Sequence, residues 1–135
     1  MVTNSDPIVI IAARRTPMGA FQGVFQSMTA AQLGAIAIRG AVDEAGLAPE
    51  LVDEVFMGCV LPAGQGQAPA RQALLLAGLP DGVGATTVNK MCGSGMKAVM
   101  LAHDLLLGGS AQVIVAGGME SMTNAPHLLP KARWS

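Results

Sequence analysis

Thr86-Thr87-Val88-Asn89-Lys90-Met91-Cys92-Gly93-Ser94-Gly95-Met96-Lys97-Ala98 is the stretch on which the fold turns. A short β-branched run leads to a cysteine, two glycines follow, and a helical pattern begins at once. This reads as a strand, a sharp turn and a helix start with a thiol at the corner. The first backbone N–H groups of a helix lack partners within it, and its dipole is positive at that end. Both favour thiolate over thiol, so Cys92 is a candidate nucleophile. Gly93 and Gly95 carry no side chain, which leaves room for an acyl group and its carrier to approach the sulfur. The bland alternative is a buried, inert thiol, the commonest state of a lone cysteine.

Outward from this corner the apolar pattern repeats. Ile8-Val9-Ile10-Ile11-Ala12-Ala13, within Pro7 to Arg15, reads as a first strand buried on both faces. Glu54 to Val60 reads as a second, Ala85 to Asn89 as the third, and Val113 to Gly118 as a fourth. Between the first and second, Thr29 with Gln32 three residues on has capping-box spacing. Leu33, Ile36, Ala37 and Ala41 then recur at helical spacing, and Gly46 is placed to cap the end. A second helix is expected from about Ala68, with Pro69 in its first turn, to Gly78. The helix after Cys92 spans about Gly93 to Leu107 and is apolar nearly all round, which predicts burial on every side. The order β-α-β-α-β-α-β predicts an α/β fold with a mostly parallel sheet and helices on both faces. Ligands of such sheets gather at the carboxyl ends of the strands, where Cys92 lies.

Composition narrows the function classes. The 135 residues are 51% hydrophobic and only 13% charged, so surface is buried on several sides or covered by a partner. Net charge is −1, with both signs scattered. No basic patch suggests nucleic acid and no basic amphipathic stripe suggests a membrane. The two cysteines, Cys59 and Cys92, have no CxxC or zinc spacing, which fits a reducing, cytoplasmic setting without a metal. No signal-peptide pattern is read at the N-terminus, and no apolar run is long enough to span a bilayer. Cys59 is expected in the core. Arg15 reads as a solvated strand-end arginine and Gly64-Gln65-Gly66 as a flexible turn, in preference to phosphate contacts.

A competing pattern shares the corner. Gly93-Ser94-Gly95-Met96-Lys97-Ala98 fits G-x-G-x-x-A, a dinucleotide-binding fingerprint, with Glu120 in the place of its acidic residue. Two β-α units precede it, however, and the reading leaves the cysteine unexplained. A thiol nucleophile needs a base. His103 is eleven residues along the same helix, roughly 16 Å away at 1.5 Å per residue, and cannot serve. His127 falls in an irregular segment, and its position relative to Cys92 stays open.

Four stretches together carry a resemblance. Asn89 to Val99 resembles the nucleophile segment of thiolases, specifically the acetyl-CoA acetyltransferases. Arg15-Thr16-Pro17-Met18-Gly19 with Phe21 and Gly23 resembles the N-terminal turn of that family. Gly66-Gln67-Ala68-Pro69-Ala70-Arg71-Gln72 resembles the start of its second helix, and Val115 to Met122 the strand and loop after the nucleophile helix.

The resemblance implies a three-layer α/β/α fold and the condensation of two acetyl-CoA to acetoacetyl-CoA and free coenzyme A, or the reverse. Cys92 would carry the acetyl group as a thioester, and its backbone N–H would bind the oxyanion. Coenzyme A enters as substrate carrier, with no resident cofactor. Thiolases are much longer, with two similar halves, an inserted loop domain, and dimeric or tetrameric assembly. Their second half supplies a His in a Gly-His-Pro motif and a second Cys in a Cys-x-Gly motif. Neither motif occurs in these residues, and neither His127 nor Cys59 takes such a role. Residues 1–120 then correspond to the N-terminal α/β domain without its last strand, an incomplete half, and residues 121–135 to the start of the loop domain. In the family that strand lies between the first and fourth. The 135 residues alone are expected to be inactive and to fold poorly or self-associate. Two further readings remain: a catalytically silent fragment or assembly piece, and the dinucleotide-binding module.

Overall fold

A computed structural model describes residues 7–134. Three parallel strands form one open sheet: β1 (Glu54–Gly58), β2 (Gly84–Val88) and β3 (Ile114–Gly118), in the order β2-β1-β3. Three helices, α1 (Ala30–Ala45), α2 (Pro69–Ala77) and α3 (Ser94–Leu107), flank it. Phe56 stands opposite Thr86 on one side and Ala116 on the other.

The period of two along β1 separates the faces. Val55, Met57 and Cys59 are buried with Ala31, Ile38, Val42, Ala73 and Leu74 of α1 and α2, forming the main core. Gly58, on the other face, lies against the start of α3. The helices thus cover both faces, as the apolar pattern predicts. With no tyrosine and few aromatics, this core closes by the approach of small residues. A Cβ on Gly34 of α1 would come 2.6 Å from Met119 Sδ, so the helix rides on the sheet through a glycine. Asp53 draws the strand starts together: its Oδ2 accepts the amides of Gln112 at 2.7 Å and Val113 at 3.0 Å. These two bonds hold its pKa below the ordinary carboxylate value.

The ends of α1 follow the expected chemistry. Thr29 Oγ1 accepts from Gln32 N at 3.2 Å, Gln32 Oε1 accepts from Thr29 N at 2.9 Å, and Gly46 closes the helix in the left-handed region at φ 65°. Thr29→Ala removes one half of this reciprocal pair and should cost about 1 kcal/mol, read as a lowered denaturant midpoint at unchanged slope.

Two expectations fail. Ile8 to Ala13 is not a strand: no ladder forms, and Val9, Ile10 and Ile11 are 73%, 81% and 59% exposed. An apolar run becomes a strand only where a neighbour takes its backbone groups. The free edge of β3 faces this segment across a cavity of about 690 Å³, lined by Ile8 to Met18 on one wall and Val113 to Glu120 on the other. Glu44 of α1 holds the segment beside that gap, accepting from Ala13 N and pairing with Arg14 at 2.9 Å. The second failure is α3. Only Ser94, Ala98 and Ala102 are buried, while Met96, Val99, Met100 and Leu107 are exposed. One face of α3 meets the sheet, and its other apolar faces lie open.

Candidate active site: the β2–α3 corner

The corner closes through side chains on either side of the cysteine. Met91 adopts φ 49°, a left-handed conformation unusual for a residue with a long side chain. Asn89 Oδ1 accepts the Met91 amide at 3.0 Å, an Asx turn that steadies this geometry. Ser94, buried at the first position of α3, accepts the Lys90 amide at 2.9 Å and donates to the Met91 carbonyl. Cys92 sits on this loop, exposed and with a free thiol.

Helix geometry leaves donors at the same place. The amides of Gly93, Ser94 and Lys97 bond to Lys90, Met91 and Gly93 carbonyls. Those of Gly95 and Met96 fall in the first turn of α3, where a helix offers an amide no carbonyl four residues back. Gly93 is the N-cap at φ −90°, and a Cβ there would meet only Lys90 O at 3.4 Å. Its flank is open. Gly95 is different: it faces Gly118, where an added Cβ would make ordinary van der Waals contact at 3.6 Å.

All three strands end here. Beyond β1, the Cys59 amide donates to Val88 O at 3.0 Å. Beyond β3, the Glu120 carboxylate accepts Val60 N at 2.8 Å, Leu61 N at 3.2 Å and the Cys59 thiol at 3.6 Å. Asn89 Nδ2 reaches Val60 O at 3.3 Å. Cys59 is 1% exposed, as expected of a core thiol, and Gln65 Nε2 contacts its sulfur at 3.5 Å. Burial, and then the nearby Glu120 charge, push its pKa up. The folded thiol therefore holds its proton more tightly than the unfolded one. That contribution is complete below the ordinary value of 9.0 and is lost as pH rises beyond it. Thermal stability should fall above that pH, and fall less in Cys59→Ala; pH-dependent melting curves of both proteins check this.

Neither histidine joins the corner. His103 lies on α3 beside Asp104 Oδ1 at 3.6 Å and lines the cavity along β3; His127 is exposed in the irregular tail. No side chain bonds the Cys92 sulfur among the described residues. Arg15 is exposed, and Gly64 and Gly66 take left-handed turn angles. The fingerprint reading loses its parts. The tight turn is made by Met91, outside the motif, and both Glu120 oxygens accept from the protein itself. The large cavity does not include Cys92 among its walls.

Asn89, Met91 and Ser94 as supports of the corner are not evident from spacing alone. An asparagine two residues before a residue that turns is the one available cue.

Comparison with known proteins agrees with this geometry. The chain matches the thiolase N-terminal domain family over residues 8–135. It is 54% identical over 132 residues to the cytosolic acetyl-CoA acetyltransferase of Gibberella zeae, covering 98% of this chain and 33% of that protein. It is 55% identical over 126 residues to the mitochondrial acetyl-CoA acetyltransferase of Danio rerio, covering 93% of this chain and 30% of that protein. The acetyl-CoA acetyltransferase of Cupriavidus necator is 53% identical over 126 residues, with 93% and 32% covered. The chain thus spans about a third of the length of the curated relatives it matches. On this match across nearly every described residue, the chain belongs to the thiolase family, in its N-terminal domain.

Proposed function

We propose that this chain supplies the nucleophile of an acetyl-CoA C-acetyltransferase. One observation carries the reading: an exposed thiol on a braced corner, at the carboxyl ends of parallel strands, beside the first-turn amides of α3. In the first step Cys92 Sγ bonds to the acetyl carbonyl carbon of acetyl-CoA. The carbon–sulfur bond to coenzyme A breaks, and the Cys92 proton passes through a base to the departing thiolate. Negative charge on the carbonyl oxygen would be met by the Cys92 amide, a backbone donor needing no reorganisation. In the second step a further acetyl-CoA loses a methyl proton to a base and attacks the acetyl-cysteine. A carbon–carbon bond forms, the Cys92 thioester breaks, and acetoacetyl-CoA leaves as the thiol is reprotonated. Coenzyme A serves as substrate carrier throughout, with no resident cofactor in this scheme.

The same reading assigns residues 1–120 to the thiolase N-terminal α/β domain without its last strand, and residues 121–135 to the start of the loop domain. The cavity between Ile8–Met18 and the free edge of β3 supports it, being an apolar slot with open backbone on one wall. We assign the base to residues outside these 135, place the protein in a reducing, cytoplasmic setting with both thiols free, and assign it a homo-oligomeric state. Among the described residues no helix is long and apolar enough to cross a membrane.

Two experiments test this. A hybrid in which this chain replaces the matching third of the Gibberella relative should make acetoacetyl-CoA from acetyl-CoA, while the 135 residues alone should make none. Condensation by the 135 residues alone would refute the assignment of the base elsewhere. Sedimentation of the 135-residue chain should show association that grows with concentration, since an open strand edge and exposed apolar residues on α3 lie uncovered. A sharp monomeric boundary at all concentrations would count against it.

A further inference from the structure

We infer that Asn89 is a positioning residue for Cys92, holding the nucleophile's corner in shape and tying it to the end of β1. The inference rests on the reading of Cys92 as the acyl carrier, and it concerns a residue that touches no reacting atom.

Three observations converge on this side chain. Its Oδ1 accepts the amide of Met91, the residue immediately before Cys92. Its Nδ2 donates to Val60 O, while the amide of the same residue, Val60, donates to Glu120. One peptide segment beyond β1 is therefore held from the β3 side by a carboxylate and bound to the corner by Asn89. The third observation is the backbone of Met91, at φ 49°. A left-handed conformation is unfavourable for a non-glycine residue, so it persists only where neighbours hold it.

Ser94 holds the far side of the same turn, but it is 4% exposed and a Cβ on Gly58 would come 2.7 Å from its own Cβ. Replacing Ser94 would disturb the packing of α3. Asn89 is exposed, so its chemistry can be removed while the core is left alone. An asparagine in a plain turn needs only water. Here both ends of the amide are used within the protein, one on the residue before the nucleophile and one on a neighbouring strand end. Without the Asn89 bond, Met91 can relax toward the right-handed region. The peptide between Met91 and Cys92 then rotates, carrying the thiol and its amide away from their shared alignment.

The test uses the hybrid enzyme. Asn89→Ala removes both bonds, whereas Asn89→Ser keeps a short hydroxyl able to make the same turn more weakly. Single-turnover acetylation of Cys92 should slow about 10- to 100-fold in Asn89→Ala, with KM changed less than about twofold, because misplacement of a reacting group lowers rate more than binding. Asn89→Ser should fall between the alanine variant and the parent. Cys59, buried in the core, gives a built-in control: its protection from iodoacetamide should be unchanged in both variants. An alanine variant that acetylates at the parent rate overturns the inference while leaving the acyl-carrier reading intact. Slowing that only accompanies loss of Cys59 protection overturns it too, because the role is then structural. A folded parent that never acetylates Cys92 overturns the acyl-carrier reading itself.

Discussion

Cys92→Ser in the hybrid enzyme is expected to lower acetoacetyl-CoA formation by about 10⁴-fold or more, the scale seen when a covalent nucleophile is removed. Serine keeps the size of the side chain and every backbone bond of the corner. What it loses is the polarisable sulfur, a far better nucleophile toward a thioester carbonyl than a hydroxyl. Steady-state rates of the two hybrids check the loss, and matched melting curves check that the fold is unaffected. Cys59→Ser should leave condensation within about threefold of the parent, since its sulfur lies in the core and bonds inward to Glu120. Equal activity of parent and Cys92→Ser would remove the cysteine from the chemistry.

Gly58→Ala should have the largest effect on the fold. An added Cβ would lie 2.6 Å from Gly95 N and 2.6 Å from the Ser94 carbonyl carbon. Both are backbone atoms of the α3 start, so no side chain can swing away to make room. The helix must lift from the sheet, and overpacking of this kind costs about 1–3 kcal/mol or more. Gly84→Ala is the useful contrast. Its clash is with the end of the Glu54 side chain, which can move, so the cost should be much smaller. Urea titrations of the two variants should separate them clearly. Gly58→Ala should also slow Cys92 acetylation, because the lifted helix carries the corner with it; Gly84→Ala should not.

The parallel sheet was legible because short apolar or β-branched runs alternate along the chain with helical segments. Thr29, Gln32 and Gly46 mark α1 in the sequence as clearly as in the structure. The corner at Cys92 was legible for a related reason: glycines between a strand pattern and a helix pattern mark a tight turn. Which residue takes the left-handed angle was not legible. Glycines follow the cysteine at 93 and 95, yet Met91 makes the turn, because Asn89 and Ser94 bond its backbone from both sides. Ile8 to Ala13 misled for a different reason. Its apolar pattern records what the segment is made to pair with, and beside it lies an open slot and the edge of β3. The apolar faces of α3 likewise record burial that the described residues do not complete. Patterning reports the environment a segment is suited to, and for these two segments it differs from what the described residues provide.

The most direct measurement is the mass of the peptide containing Cys92 after the hybrid enzyme is mixed briefly with acetyl-CoA and quenched in acid. A peptide heavier by one acetyl group is expected, with the label on the Cys92 sulfur, absent at Cys59, and discharged when coenzyme A is added. An enzyme that turns over acetyl-CoA while this peptide stays unmodified at every quench time would contradict it.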